Sequence, residues 1–556
     1  MPNESLQSCV LAEGRNFVSA QGAFTFVLHG HLPYLRLSGP YGEVTTYEVL
    51  SETYIPLLQI LYDQKEAGVE YSLTLSLTPL VVEQLIDESD IENFGHYLDE
   101  KIAAAQEDAV LYSASEHPHM HYLADWYVNW YEQIKSAFIH RFGRDIVGAF
   151  RRLQDEGYLE IITSAATHAY LPLLGRDSSV RAQLKTAVRS YERAFGRRPT
   201  GIWLPTCGYR PGIETFLAEE GFKVFFSEPH MLTGGAPIGV SAGDVFGPYN
   251  AIKQLYALPP FHVNPSTQAT TFQPYRVADS DVAVIGRDDR SSMQVWGVRM
   301  GYPGDVDYRE FNRISGTSGL NYWRVTGEKI DPHDKDLYHP DWATYKVDQH
   351  AEHFAHLIGD MIRSYNRNTG EHGLIATVLD MRLLGHWWFE GSRWLGYVLR
   401  HLANTPEIEL TTGSQYVSDH PPQSSIPLAE GSWGMGGKHF IWDNPETRWL
   451  WEPIHAAEAR METLANQNPS PDEDTRAVLN QAARELLLMQ SSDWAVNIIS
   501  RRERRYAIQQ FYRHQERFDR LAASIEAGEP DRTLADAFWA VDRIFSDIDY
   551  RVFADS

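Results

Sequence analysis

Seven short apolar runs, rich in β-branched and aromatic residues, punctuate the first three quarters of the chain: Ala23–Leu28, Tyr71–Leu77, Leu159–Ile162, Gly201–Leu204, Lys223–Phe226, Val282–Ile285 and Leu374–Leu379. Their lengths and bounding residues predict strands, and the long helical or irregular stretches between them predict crossovers and hence a parallel sheet. Each run ends in polar or chemically capable residues: His29, Thr78-Pro79, His168 nearby, Pro205-Thr206, Ser227-Glu228, Arg287-Asp288 and Asp380. Polar groups gathered at strand C-termini mark the mouth of a β/α barrel, so the pattern predicts an α/β barrel of about seven strands. Ile408–Thr412 leaves an eighth strand open.

Between and beyond these strands the period changes. Ile91–Glu156 is helical in pattern and carries His121-Tyr122, Trp126-Tyr127 and Trp130-Tyr131, more than one crossover needs, which predicts a helical insertion over 91–156. Glu228–Asp281 is long and rich in Gly and Pro, as expected of a lid over the barrel mouth. From Glu446 the chain turns helical: Ser470-Pro471-Asp472-Glu473 reads as a cap, an N1 proline and an acidic first turn, and Leu534, Phe538, Val541 and Phe545 recur at helical spacing. The expected layout is a barrel over 20–415 and a C-terminal helical domain over 425–550.

Charge and cysteine content narrow the function. The 556 residues include 49 basic and 74 acidic ones, a net charge of −25, which argues against nucleic acid or an anionic membrane as partner and suits a neutral ligand. Only Cys9 and Cys207 occur, so no disulfide framework is available; with neither a signal-peptide pattern nor an apolar run of membrane-spanning length, a soluble cytoplasmic protein is expected.

The densest chemistry is Asp380-Met-Arg-Leu-Leu-Gly-His-Trp-Trp-Phe-Glu-Gly391, a carboxylate at a strand end followed by a histidine and three aromatics. Such a group suits a sugar site, because a glycosidic oxygen must be protonated by a carboxyl group while pyranose faces stack on aromatic rings.

Five ordered segments share this character: His29-Gly-His31-Leu-Pro-Tyr34, Glu160–Leu174, Trp203-Leu-Pro-Thr206-Cys-Gly-Tyr209-Arg-Pro, Asp380–Gly391 and Ser432-Trp-Gly434. Together they resemble the five motifs of glycoside hydrolase family 57, most closely its 1,4-α-glucan branching enzymes, over about Phe24 to Phe518. Gly301-Tyr-Pro-Gly304-Asp, Asn321-Tyr-Trp323-Arg and Gln490-Ser-Ser-Asp493-Trp494 support that subgroup. The resemblance implies an incomplete TIM-like (β/α)7 barrel with a helical insertion and a helical C-terminal domain, no metal or other cofactor, and α-1,4-glucan such as glycogen or amylose as partner. It also implies retaining chemistry, in which two carboxyl groups about 5 to 5.5 Å apart act as nucleophile and acid/base.

Asp380 matches the acid/base position. The nucleophile position is Thr206, where the family has Glu. A threonine hydroxyl is un-ionised at neutral pH and brings no charge to an oxocarbenium-like transition state, so double displacement is disabled. Arg382 and Met435 stand where branching enzymes carry acidic residues, and Pro237-Ile238-Gly239 where their catalytic loop presents a tyrosine. The expectation is a glucan-binding protein with an impaired catalytic centre; the alternative is an active branching enzyme or 4-α-glucanotransferase that recruits Glu228 or Asp288. By the same resemblance, Arg287, Gly304, Trp433, Asp493, His29, His31, Trp203, His386 and Trp442 are substrate-binding candidates, and His168 is a further motif histidine. His117-Pro-His119-Met-His121 lacks acidic or Cys partners and is not expected to bind a metal.

Overall fold

The computed structural model describes residues 20–34, 43–113, 117–245, 248–256 and 269–554. Ten strands are found among them: β1 (Gly22–Gly30), β2 (Leu73–Leu77), β3 (Leu159–Ile162), β4 (Gly201–Ile202), β5 (Val224–Ser227), β6 (Tyr275–Val277), β7 (Ala283–Gly286), β8 (Gly373–Asp380), β9 (Ile408–Leu410) and β10 (Ser425–Ile426). Strand β1 is central to one sheet. It pairs in parallel with β8 from Gly22↔Gly373 to His29↔Asp380 and with β2 from Val27↔Thr74 to Gly30↔Leu77, while β2 pairs with β3. In the second sheet β5 lies between β4 and β7, all parallel, with β6 antiparallel to β7 and β10 beside β6.

Isolated backbone hydrogen bonds stitch the sheets together. Trp203 N donates to Thr163 O at 2.8 Å on one side, and Asp288 N donates to Ala376 O at 2.8 Å on the other. The strands β1, β2, β3, β4, β5, β7 and β8 therefore follow in chain order around an irregular seven-stranded parallel barrel, and they correspond to the seven apolar runs. Every residue of β1 and β8 is buried, which is why both read as almost unbroken apolar runs rather than alternating ones. The open eighth strand, β9, pairs with β1 only at Gly22–Phe24, below the stretch that β2 covers, and adds no stave. Strands β6 and β10 were not expected; at three and two residues they are too short to show a period.

The stretch after β2 folds into the helices Glu88–Ser113, Pro118–Ser136 and Ile146–Asp155. Of the expected lid, residues 246–247 and 257–268 lie outside the described residues. The tail forms the helices Trp451–Gln467, Glu473–Met489, Asp493–Ser500, Arg504–Glu526 and Arg532–Trp539. Two details differ from the sequence reading. The second of these helices is capped by Asp472, which accepts from Thr475 N at 2.8 Å, rather than by Ser470. The last ends at Trp539, so Phe545 is buried from a left-handed backbone position, φ 51°, and not from a helix face.

A buried polar seam docks the tail on the barrel. Gln183 Nε2 donates to Gln490 Oε1 at 2.9 Å, Gln490 Nε2 donates to Glu458 Oε1 at 2.9 Å, and Glu458 Oε2 accepts from Gly175 N at 2.8 Å. Ser492 N then reaches His168 O at 3.3 Å, so the seam carries Ser492 and Asp493 to the barrel mouth. Among the described residues no helix is long and apolar enough to cross a membrane.

Candidate active site

At the C-terminal ends of β1, β4 and β8 a cavity of about 590 Å³ opens, bordered by His29, His31, His168, Thr206, Asp380, His386, Trp433 and Asp493 among others. Thr206 enters it from a tight turn after β4. Its backbone is left-handed, φ 57° and ψ 27°, and Cys207 follows at φ 52°. A β-branched residue in that region costs about 1 to 3 kcal/mol. The turn persists because Cys207 N donates to Leu204 O at 2.8 Å, Gly208 N to Pro205 O at 2.9 Å and Trp433 N to Thr206 O at 2.9 Å. The Thr206 hydroxyl donates to Pro205 O at 2.6 Å, directed at its own backbone.

Asp380, the last residue of β8, caps the turn that follows, and Arg382 folds back onto it. Arg382 N and Nε donate to Asp380 Oδ1 at 2.9 and 3.1 Å, and Nη2 donates to Oδ2 at 2.7 Å. The guanidinium also lies 4.7 Å from the Trp387 ring. Both oxygens of Asp380 are thus occupied as acceptors, whereas the acid role requires an O–H donating into the cavity.

Three histidines line the floor, and two of them form a hydrogen-bonded chain. His29 Nδ1 meets Ser76 Oγ at 3.1 Å and its Nε2 meets His168 Nε2 at 3.2 Å, while His168 Nδ1 meets Ser492 Oγ at 2.9 Å. Burial, reinforced by neighbouring His31, holds the pKa of both His29 and His168 well below the ordinary value, so these rings are neutral near pH 7. His31 Nε2 bonds Asp493 at 3.0 Å; burial opposes the Asp493 charge, but His31, His168 and the Ser491 hydroxyl together outweigh it and keep that pKa below the usual aspartate value. His31, His168 and Asp493 bring possible ligand atoms within 4.8 Å of one another. The His31 and His168 rings are stacked, 3.9 Å apart and 12° from parallel, so their in-plane lone pairs do not converge on one ion, and each ring nitrogen already has a partner.

Sequence reasoning missed a second charged cluster in the same wall. A π-helical turn, Leu50–Tyr54, turns Glu52 inward, where Arg309 Nη2 donates to Oε1 at 2.7 Å and His386 Nδ1 bonds Oε2 at 2.8 Å. Glu48 also borders the cavity, its pKa raised by burial and then by Glu52. Two glutamates four residues apart were the only pattern for the acidic pair, and Arg309 lies in Tyr308-Arg-Glu-Phe311, a segment that supports the family resemblance without marking Glu52 as its partner. Beyond Arg309, Phe311, Trp387 and Arg502, which border both spaces, a second basin of about 790 Å³ continues the cleft and includes Gly304.

Three expected contact residues border neither space. Trp203 is buried behind His29, with ring centroids 5.0 Å apart, and Trp442 is buried against Tyr170, 3.9 Å apart. Arg287 is fully buried, with Nε and Nη2 each 2.9 Å from Glu228 oxygens and Asp289 alongside. A buried guanidinium needs such neutralisation, which fixes it in the wall and away from a ligand. The same pairing removes Glu228 as a surrogate nucleophile. Asp288 is committed to capping the helix Asp289–Trp296 through Ser291 N at 2.7 Å.

Known proteins share this architecture. The family model for glycosyl hydrolase family 57 matches residues 25–429, and that for the C-terminal region of 1,4-alpha-glucan branching enzymes matches 453–553. The chain belongs to glycosyl hydrolase family 57. The 1,4-alpha-glucan branching enzyme of Thermococcus kodakarensis is 39% identical over 520 residues, covering 90% of this chain and 73% of that protein. A crystal structure of a family 57 branching enzyme from the same organism, in complex with glucose, superposes with a TM-score of 0.87 at 37% identity over 96% of this chain and 97% of the other. The alpha-amylase AmyC of Thermotoga maritima superposes with a TM-score of 0.82 at 29% identity, covering 96% of this chain and 99% of that one. The family match runs through the barrel from β1 to β10, and the branching-enzyme match begins within the helix Trp451–Gln467 that holds the seam.

Proposed function

We propose that this family 57 protein binds α-1,4-glucan in the cavity and the adjoining basin without carrying out double displacement. One observation carries the reading. The positions of nucleophile and acid/base border the same cavity, yet one is a hydroxyl bonded to its own backbone and the other is a carboxylate gripped at both oxygens by Arg382. The similarity to branching enzymes supports glucan as the ligand class, and the aromatic face of Trp387 suits pyranose stacking.

The test is branching on amylose, followed by iodine staining and by chain-length profiling after debranching, alongside calorimetric titration with maltoheptaose. The expected outcome is binding with no new branch points, with binding weakened in Trp387→Ala. Thr206→Glu restores at most a trace of activity while Arg382 holds Asp380. Robust native branching that disappears in Asp380→Asn overturns the proposal.

A second reading, an active enzyme with a relocated carboxylate, is favoured by Glu48: it borders the cavity and burial holds its pKa above the ordinary glutamate value. Glu48→Gln separates the two, since only an enzyme using that group loses turnover while keeping maltoheptaose affinity.

A further inference from the structure

We propose that Trp342, Tyr345 and Tyr122 form a second docking surface for α-1,4-glucan chains, outside the cavity and beyond the far side of its second basin. The choice of ligand rests on the glucan reading above; the surface itself stands on separate observations.

Grouped exposed aromatics, unlike single ones, mark an interaction surface, and here Trp342, Tyr345 and Tyr122 are 50%, 67% and 44% exposed. Trp342 and Tyr345 lie three residues apart on the helix Pro340–Thr369 and so on one face of it, while Ala343 and Val347 carry the buried face. The rings are not loose. Trp342 stacks on His339 at 3.9 Å, His339 on His119 at 4.1 Å and His119 on Tyr122 at 5.5 Å, with interplanar angles of 16°, 27° and 25°. His119 Nε2 is anchored by donating to Tyr338 O at 2.7 Å. The stack bridges two helices and holds the flat rings at its ends in fixed orientations.

This chemistry selects a neutral, amphipathic, ring-shaped repeat. Aromatic faces accept the C–H face of a pyranose, and the indole N–H, phenol O–H and imidazole edges reach its hydroxyls. An anionic ligand is disfavoured, because the nearby cation Arg324, 5.9 Å from the Trp342 ring, is already paired with Asp307 and Asp336. A protein partner or a second copy needs roughly 800 Å² on each side. Three side chains interrupted by Asp341, Lys346 and Asp348 fall short of that. The position also suits a polymer: Val325, next to Arg324, borders the second basin, as do Gly327 and Glu328. A chain leaving the cavity through the basin would meet the shelf next.

Native gels cast with glycogen or amylose measure retention of the full-length protein, and calorimetry with maltotriose measures the cavity. The double variant Trp342→Ala/Tyr345→Ala is expected to lose about tenfold in polymer affinity while its maltotriose affinity is unchanged. If the alanine pair fails to fold by circular dichroism, Trp342→Gln/Tyr345→Gln gives the same readout. Unchanged polymer retention in a folded double variant overturns the proposal, as does a native protein that polymer does not retain. A change of mass in light scattering with retention intact also overturns it, in favour of self-association. Trp387→Ala separates the two readings: if it leaves retention intact while the shelf variant loses it, the cavity reading falls and the shelf stands.

Discussion

Glu458 offers a direct test of how the C-terminal helices are held on the barrel. Its carboxylate accepts from Gly175 N and Gln490 Nε2 at the centre of the polar seam, with no cation within ion-pair distance among the described residues, and burial raises its pKa to about 7. In the unfolded chain the pKa is 4.5, so the folded state holds the proton more tightly. The contribution to stability is therefore full below pH 4.5 and is lost as pH rises through about 7, above which both states are ionised. At about 1.4 kcal/mol for each pH unit separating the folded from the unfolded value, the loss across that window is on the order of 3 kcal/mol. Glu458→Gln removes the titration, at a pH-independent cost from the acceptor oxygen it replaces with an amide NH2. Its stability relative to the native protein should therefore rise by about 3 kcal/mol between pH 4.5 and pH 8, in urea denaturation followed by tryptophan fluorescence. The difference between the two curves cancels the other titrating groups. Parallel curves from pH 4.5 to 8 would refute the reasoning.

Three further expectations concern the cavity wall. A Cβ on Gly385, whose φ is 149°, would lie 1.9 Å from Glu52 O, so Gly385→Ala should cost at least about 2 kcal/mol in denaturant titration; a neutral change would show that the π-turn yields easily. Arg309→Met leaves Glu52 buried with only His386 and should cost about 3 to 5 kcal/mol at pH 7. Because Glu52 is held below the ordinary glutamate pKa, with Arg309 and His386 together outweighing burial, that cost should shrink as pH falls through its folded pKa, and a deficit constant down to pH 3 would contradict it. Thr206→Asn places a residue tolerant of left-handed backbone at φ 57°, and stability should rise by about 1 kcal/mol; a loss in urea denaturation would show that the hydroxyl bond to Pro205 O outweighs the strain.

The barrel was legible in the sequence because its strands are buried on both faces. Burial demands continuous apolar runs, and parallel connection demands long crossovers between them, so β1, β2, β3, β4, β5, β7 and β8 each left a signal. The position of the chemistry was legible for a related reason: strand C-termini face one mouth, so His29, Thr206 and Asp380 were expected together from their places at strand ends. Other features left no such trace. Strands β6 and β10 are held by pairing rather than by their own pattern, and the Asp472 cap is a choice between two nearby capping residues that only backbone geometry makes. Cavity geometry separated Trp433, which borders the cavity, from Trp203 and Trp442, which support its wall, although the sequence offered all three as contact candidates. The pairing of charges was decided in three dimensions alone. Arg287 lies beside Glu228 across 59 residues, Arg309 beside Glu52 across 257, and Asp493 beside His31 across 462. Local propensity and period act over a few residues, whereas buried charges find partners wherever the fold brings them, and so the sequence named the site while tertiary structure settled which groups remain free to act in it.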